Sequence, residues 1–404
     1  MQTQILAQFL ATPAGREADA ILRSCVHCGF CTATCPTYQL LGDELDGPRG
    51  RIYQIKQVLE GQTPTRITQG HLDRCLGCRS CETTCPSGVR YARLADIGRH
   101  LVDERVARPW TQRLLRAALV GLVPHPARLA PLVRLGRLVR PLLPTALAAK
   151  VPRPRPAGDW PAPQGRRRVL ALAGCVQAIA TPLTNTAAAR VLDRLGLDLI
   201  EAPRAGCCGA LAYHLGAQAQ GLDAMRRNID AWWPAIESGC EAILITASAC
   251  AATVKDYGDL LRDDPAYAER AARVASLARD PTEWLSAADL NPLGAPGRGR
   301  RIAFHAPCSL QHGQQIKGLA ESILTRLGFV LTPVPDAHLC CGSAGTYSLT
   351  QPVLSRQLQA NKVAALESGA PELIATANIG CQLHLEAGSR LPVVHWLELL
   401  DGGW

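Results

Sequence analysis

The sequence is poor in aromatic residues and has no long apolar segment. Aromatic residues make up 4% of the chain, and no run of about 18 uninterrupted apolar residues occurs. No N-terminal stretch combines a basic region with an apolar one, so we expect a cytoplasmic protein without a membrane span. The net charge of +9 does not indicate nucleic-acid binding, because the arginines are scattered and no stacking platform or nucleic-acid motif accompanies them.

Nucleotide-binding motifs are also lacking. No G-x-G-x-x-G follows an apolar run and no G-x4-G-K-[ST] is present, while GAPGRGR at residues 294–300 has the wrong glycine spacing. A chain without a nucleotide site of its own is not expected to perform hydride chemistry. An oxidisable substrate would therefore bind to another protein.

Cysteine, in contrast, is abundant. The chain has 17 cysteines, and in a reducing cytoplasm they are poor candidates for structural disulfides and better candidates for metal or redox sites. The length of 404 residues predicts two or three domains. The sequence pattern divides the chain into a cysteine-dense helical domain (residues 1–98), a basic helical segment with a Pro-rich linker (99–168), and two repeats (169–290 and 300–404).

The first domain contains two runs of the form C-x2-C-x2-C-x3-C-P. They are CVHCGFCTATCP at residues 25–36 and CLGCRSCETTCP at residues 75–86. In two-cluster ferredoxins the fourth cysteine of such a run ligates the other cluster. The predicted ligands are therefore Cys25, Cys28, Cys31 and Cys85 for one [4Fe-4S] cluster, and Cys75, Cys78, Cys81 and Cys35 for the other. Zinc sites, the alternative, usually pair two C-x2-C knuckles and do not need the third and fourth cysteines.

The long interval between the two runs favours a helical ferredoxin domain over a compact β-rich one. It contains DGPRGRIYQIKQVLEG, in which apolar residues follow the spacing of one helix face. These residues are Ile52, Ile55, Val58 and Leu59.

Beyond residue 168 the sequence repeats itself. RRVLALAGC (167–175) matches RRIAFHAPC (300–308), AGCCGALAY (205–213) matches HLCCGSAGTY (338–347), and AILITASAC (242–250) matches ELIATANIGC (372–381). A repeat of this length indicates a duplicated domain. Short apolar runs alternate with helical patterns in each copy, which predicts βαβ units on a parallel sheet. The overall prediction is an α+β multidomain protein with a duplicated α/β region.

The cysteines of the repeats follow the apolar runs, where parallel sheets collect their ligand sites. They form two sets, Cys175, Cys207, Cys208 and Cys250 in the first copy and Cys308, Cys340, Cys341 and Cys381 in the second. Each set could hold iron, bind another metal, or form a reversible disulfide between neighbours. Duplication of all four positions favours a metal-binding or redox role for these cysteines over simple packing. Cys240 has no counterpart, so we interpret it as a packing residue.

Four stretches carry a family resemblance. CVHCGFCTATCPTYQLLGDELDGPRGRIY, LDRCLGCRSCETTCPSGVRY, NIDAWWPAIE and HLCCGSAGTYSLT resemble the iron-sulfur subunits of bacterial glycolate oxidases. This family is related to the iron-sulfur subunits of heterodisulfide reductases and anaerobic glycerol-3-phosphate dehydrogenases. The resemblance covers essentially the whole chain. Reductase relatives with unusual clusters at CCG motifs have a C-x-x-C pair at the last cysteine, whereas Cys250 and Cys381 stand alone, which argues against a cluster of that kind.

The resemblance implies an electron-transfer subunit of a heteromeric FAD-dependent dehydrogenase that oxidises glycolate to glyoxylate. FAD is then expected on partner flavoprotein subunits, and electrons would pass through two [4Fe-4S] clusters to a membrane- or quinone-linked acceptor. No catalytic residue is expected on this chain. The alternatives are a self-contained reductase acting at the CCG site, a subunit for lactate or glycerol 3-phosphate oxidation, and a scaffold that only binds partner subunits.

Residues 113–150 are both basic and apolar. They could lie against the anionic lipid of the inner face of the cytoplasmic membrane, near quinone, or pack as helices on the ferredoxin domain or a partner subunit. Prolines are expected to interrupt any long amphipathic face, which favours packed helices. They stand at positions 124, 126, 131, 141 and 144.

Overall fold

The computed structural model describes residues 1–144, 148 and 151–402. An all-helical N-terminal part precedes two parallel four-stranded sheets, which confirms the predicted α+β class with a duplicated α/β region. Two groups of residues lie outside the described part: 145–147 and 149–150 of the predicted basic segment, and 403–404 of the second repeat.

The N-terminal part has no strand in residues 1–144. Its longer helices pack around the apolar face predicted for Pro48–Leu59, in which Ile52, Ile55, Val58 and Leu59 are all buried. The helices are Ala7–Leu10, Pro13–Ser24, Pro36–Leu41, Pro48–Leu59, Arg66–Asp73, Ser80–Thr83 and Tyr91–Arg105. The last of these continues through residue 98, where the sequence pattern ends the first domain, because Leu94, Leu101 and Val102 keep its inner face buried.

Two further helices, Trp110–Leu122 and Pro126–Val139, are joined by a three-residue connection, and we call this pair the basic hairpin. A short 3-10 turn, Arg140–Leu142, follows it. The expected interruption at Pro131 is wrong, because this proline lies inside the second helix. Pro131 and Ala127 are both exposed, so water is available to the carbonyl that loses its helical partner.

Each repeat forms one parallel sheet. The first has strand order β2-β1-β3-β4 and the second β6-β5-β7-β8. The strands are β1 Arg167–Ala171, β2 Leu197–Glu201, β3 Ala242–Leu244, β4 Ala278–Arg279, β5 Arg301–His305, β6 Val330–Leu331, β7 Leu373–Thr376 and β8 Val393–His395. The longer helices beside them are Leu183–Arg194, Gln218–Glu237, Ser248–Lys255 and Ala268–Leu277 in the first repeat, and Leu319–Arg326, Pro352–Glu367 and Ile379–Glu386 in the second.

The two repeats share one hydrophobic core. Val169 and Leu199 of the first sheet and Phe304 and Trp396 of the second repeat belong to the same buried cluster. His395 adds a polar link by donating from Nε2 to the Thr246 carbonyl oxygen at 3.0 Å. The duplicated units therefore pack as a pair.

The N-terminal helices lie against the cysteine-bearing loops of both repeats. Arg93 donates to the Tyr213 hydroxyl at 2.5 Å, and Asp96 contacts His214 Nδ1 at 3.0 Å. On the second repeat, Thr83 Oγ1 lies 2.9 Å from His312 Nδ1. The second predicted cluster-binding run thus contacts the second repeat at this interface.

Candidate iron-sulfur and cysteine sites

The first predicted ligand set lines one cavity. Cys25, Cys28 and Cys31 of the first run meet Cys85, the fourth cysteine of the second run, and Cys81, which is assigned to the other set, also lines this cavity. Burial raises the pKa of Cys25, and burial with the neighbouring Cys25 raises that of Cys31 to about 11. Such thiols release their protons when a metal binds, because the positive charge of the metal stabilises the thiolates.

One polar atom at this cavity, His27 Nε2, is buried and has no hydrogen-bond partner among the described residues. The buried Tyr91 hydroxyl interacts with Cys75, a ligand of the second predicted set. A buried donor without an acceptor is costly, and the sulfides and thiolates of an iron-sulfur cluster are acceptors. The residues present therefore fit such a group.

The two runs repeat the same backbone conformation. In the first, His27 and Gly29 have φ of 56° and 85°; in the second, Gly77 and Arg79 have φ of 65° and 60°. These residues immediately precede and follow Cys28 and Cys78. Left-handed backbone on both sides of the second cysteine coils the chain, so that successive thiols face one centre.

The second predicted set also comes together. Burial raises the pKa of Cys78 and Cys81 far above its ordinary value, and negative charge on Cys75 and Cys35 adds to this rise. Cys75 differs, because the charges of Arg51 and Arg99 outweigh its burial and lower its pKa. This site therefore contains fixed positive charge close to a ligand.

The first repeat brings its four cysteines together at the carboxyl ends of β2, β1 and β3. Thiols of Cys175 and Cys208 donate to Cys207, which lowers its pKa, and Cys208 also interacts with Cys250. Gly209 has φ 89°, and a Cβ there would lie 2.5 Å from the Gly221 carbonyl oxygen. Only glycine fits this turn after the cysteine pair.

The second repeat forms a similar chain of thiols. Cys308 Sγ lies 3.8 Å from Cys340 Sγ, and Cys340 interacts with Cys341, which interacts with Cys381. Gly342, with φ 87°, occupies the same tight turn as its counterpart Gly209.

His305 is an additional candidate ligand: its position near the repeat cysteines in the sequence allows that role, although a histidine in such a place more commonly only forms hydrogen bonds. Ligand atoms of His305, Cys341 and Cys381 all lie within 4.8 Å of one another, and His305 Nε2 is buried without a hydrogen-bond partner among the described residues. The available signal was the alignment of the repeats, in which His305 replaces the apolar Leu172 at the end of a buried strand. The two cysteine sets are therefore chemically different.

The second repeat lies directly beside the second predicted cluster site. Cys78 interacts electrostatically with Cys308 and Cys340, and the Tyr347 hydroxyl donates to the carbonyl oxygen of Arg74 at 3.0 Å. Cys240 is buried in the core of the first repeat, where its thiol donates to the Arg168 carbonyl oxygen at 3.2 Å.

Comparison with known proteins agrees with this arrangement. Residues 21–89 match the 4Fe-4S dicluster domain, and residues 169–255 and 302–386 match the cysteine-rich CCG domain. The glycolate oxidase iron-sulfur subunit of Escherichia coli K12 is 58% identical over 99% of this chain and 98% of its own length. The chain belongs to the family of glycolate oxidase iron-sulfur subunits.

More distant relatives have related names. The probable glycolate oxidase iron-sulfur subunit of Bacillus subtilis 168 is 29% identical over 95% of this chain and 94% of its own. Lactate utilization protein A of Bacillus licheniformis is 29% identical over 53% of this chain and 91% of its own. As a glycolate oxidase iron-sulfur subunit family member, the chain is an iron-sulfur electron-transfer component of an oxidoreductase complex.

The part of the chain that the structure describes contains no helix that is both long and apolar enough to span a membrane.

Proposed function

We propose that this chain accepts electrons from FAD on partner flavoprotein subunits that oxidise glycolate to glyoxylate, and passes them on through two [4Fe-4S] clusters. The observation that supports this most strongly is the meeting of Cys85 with Cys25, Cys28 and Cys31 in one cavity. A fourth ligand from the other run is characteristic of two-cluster ferredoxins. Near-full-length similarity to a glycolate oxidase subunit supports the choice of partner and substrate.

In this proposal the eight ferredoxin-type cysteines hold the two clusters, which supply one-electron chemistry when bound. The surrounding residues bury or half-bury these thiols, except the exposed Cys28. His27 is positioned to donate at the first site. At the second site the Tyr91 hydroxyl interacts with Cys75, and Gly77 N–H donates to Cys75 Sγ at 3.4 Å. The cysteine sets of the repeats serve as additional metal or redox sites.

Of the two repeat sets, we assign metal binding first to Cys308, Cys340, Cys341 and Cys381. His305 adds a fifth buried ligand there, and Lys362, 3% exposed, lies close enough to interact with Cys340 and Cys341. A buried cation favours thiolate over thiol. The first set has no histidine at the corresponding strand position.

Iron and sulfide analysis of anaerobically purified protein tests the cofactor assignment. About eight irons per chain would place clusters only in the ferredoxin part, and about twelve or more would add one at the repeats. If the wild-type chain holds more than about eight irons, changing Cys340 and Cys341 together to Ser should lower the iron content. The matched control is Cys240→Ser, which should leave it unchanged because Cys240 only packs.

Reduction by the partner tests the electron-transfer role. With the flavoprotein subunits present, adding glycolate anaerobically should bleach the iron-sulfur absorbance, and without them it should not. Lactate and glycerol 3-phosphate, the alternative substrates, should bleach it more slowly. Faster reduction by either would reassign the substrate.

The second candidate function is a self-contained reductase acting at a CCG site. The observation in its favour is the lowered pKa of Cys207, whose thiolate accepts from Cys175 and Cys208, since a thiolate is the nucleophile in disulfide exchange. Reduction of a disulfide by the pre-reduced chain, without any flavoprotein, would favour this function.

We further propose that the basic hairpin contacts an anionic lipid surface, which would place the chain at the inner face of the cytoplasmic membrane near a quinone-linked acceptor. One face of its second helix contacts the following segment of the chain, where Arg137 donates to the Pro152 carbonyl oxygen at 3.0 Å. The opposite face exposes Leu132, Leu135 and Leu138, with Leu138 at 78%.

Charge complementarity favours lipid as the occupant of this face. No Asp or Glu occurs between Arg105 and Asp159, whereas arginine recurs throughout. On the first helix, Trp110 and Leu114 are 74% and 63% exposed. Exposed Trp and Leu beside arginines suit the boundary between headgroups and acyl chains.

A further inference from the structure

Arg51 is a buried cation beside the second predicted cluster site. It lies on the inner face of the Pro48–Leu59 helix and is 1% exposed. Its Nε donates to the His71 carbonyl oxygen at 2.7 Å, and Nη1 and Nη2 approach Thr37 Oγ1 at 3.2 and 3.3 Å. A guanidinium cannot lose its charge in a protein, so a positive charge is fixed in this core.

That charge is incompletely neutralised. The nearest carboxylate, Asp46, lies 3.4 Å from Arg51, but its Oδ1 also accepts from Arg74 Nε at 2.7 Å and contacts His71 Nδ1 at 3.0 Å. One carboxylate therefore serves two guanidinium groups. Arg99 adds another cation, which donates to the carbonyl oxygens of Leu72 and Cys75 and interacts at longer range with Asp96 and Asp73.

The surplus charge faces ligands of the second site. Cys35 Sγ lies 3.3 Å from Thr37 Oγ1, the atom to which Arg51 donates. Arg51 and Arg99 are also the charges that favour thiolate at Cys75.

The cations beside the first site are less buried than Arg51: the N-terminal ammonium of Met1, which is half-buried, donates to the Cys25 carbonyl oxygen at 2.6 Å. Arg49, which lines its cavity, is paired with Glu44 at 2.7 Å and its side chain is 38% exposed. Solvent screens a charge of this kind, whereas it screens a buried one far less.

Resting on the proposed function, we infer that Arg51 is a positioning residue that raises the reduction potential of the cluster at Cys75, Cys78, Cys81 and Cys35. Reduction adds one negative charge, and a buried cation stabilises the reduced form more than the oxidised form. Electrons then collect at the site beside Cys308 and Cys340. Arg51 thus sets the direction of transfer toward the second repeat.

Redox titration followed by EPR tests this inference. Arg51→Gln should leave the iron and sulfide content unchanged. It should lower the equilibrium constant for reduction of one cluster at least about tenfold, which corresponds to a fall of about 59 mV in its one-electron reduction potential. Arg51→Lys should retain most of the wild-type value because it keeps the charge. Arg49→Gln, the matched control, should leave that cluster unchanged. The cluster affected should be the one that Cys78→Ser removes.

Two further variants keep the test decisive if Arg51→Gln fails to assemble. Asp46→Asn removes the shared counter-charge and should raise the same potential, whereas Arg99→Gln should lower it. If the assembled variants hold both clusters and their reduction potentials are unchanged, the inference about Arg51 is overturned while the proposed function stands. A wild-type chain that holds no iron-sulfur cluster would instead overturn the proposed function.

Discussion

The Tyr347 hydroxyl donates to the backbone carbonyl oxygen of Arg74, with 3.0 Å between the two oxygens. Arg74 directly precedes Cys75, and Tyr347 follows the Cys340–Cys341 pair in the second repeat. Tyr347 is 5% exposed. One partly buried hydrogen bond therefore joins a predicted cluster-binding loop to a repeat cysteine loop.

Removing this hydroxyl should weaken the attachment of the two loops. Tyr347→Phe leaves the Arg74 carbonyl without its donor, so we expect the free energy of unfolding to fall by about 1 kcal/mol. Anaerobic denaturant unfolding measures it. Tyr38→Phe is the control, since no hydrogen bond of the Tyr38 hydroxyl is seen in the described residues. Equal stabilities of the two variants would show that the bond contributes nothing.

Single cysteine replacements should reveal the crossed ligand pattern. Cys28→Ser and Cys85→Ser should abolish the same EPR signal and remove about four irons each, because both side chains line one cavity. Cys78→Ser and Cys35→Ser should abolish the other signal. If Cys85→Ser instead removed the signal lost in Cys78→Ser, each run would hold its own cluster and the crossed assignment would be wrong.

The basic hairpin should bind vesicles of phosphatidylglycerol mixed with phosphatidylcholine, and bind phosphatidylcholine alone poorly. Changing Leu135 and Leu138 together to Asp should reduce binding at least about tenfold, because two exposed apolar contacts are lost and two anions are added. Co-sedimentation measures this, and added salt should weaken it.

Val353→Asp provides the matched control, because Val353 is also exposed, at 67%, but lies in the second repeat. Unchanged vesicle binding by the double Leu variant would exclude the hairpin as the lipid surface. If that variant instead failed to associate with the flavoprotein subunits, the hairpin face would be a protein interface.

Stability should fall in mild acid through His395. Burial lowers its pKa to about 4, against about 6.5 in the unfolded chain. Between these pH values the unfolded state binds more protons, so stability rises with pH. The contribution is complete above about pH 6.5 and is lost as pH falls to about 4, by up to about 3 kcal/mol.

Thermal unfolding between pH 4 and 7 checks this prediction. His395→Gln should unfold at lower temperature at pH 7 and show a smaller loss on acidification. His100→Gln serves as the control, because the side chain of His100 is 42% exposed. An unaltered pH profile in the His395 variant would assign the acid sensitivity to other groups.

The sequence predicted those features that depend on local spacing. The two cysteine runs, the amphipathic pattern of Pro48–Leu59 and the repeat cysteines after apolar runs all follow from residue intervals, and the structure brings each set together. The assignment of particular cysteines to each cluster remains a prediction.

Other features depended on contacts between distant segments. His305 is one polar residue in an apolar strand, and its approach to Cys341 and Cys381 arises only when β5 pairs with β7. Arg51 stands in an amphipathic helix where arginine normally faces water. Pro131 indicated a break, but its own exposure lets the helix continue.

The core shared by the two repeats has a consequence during synthesis. The first sheet leaves the ribosome before Phe304 and Trp396, which complete its hydrophobic surroundings, have been made. At about 5–20 residues per second, Val169, Leu199 and their neighbours wait roughly 5 to 45 seconds for these partners. Nascent chains stalled before residue 300 should therefore depend on chaperones more than the finished protein does.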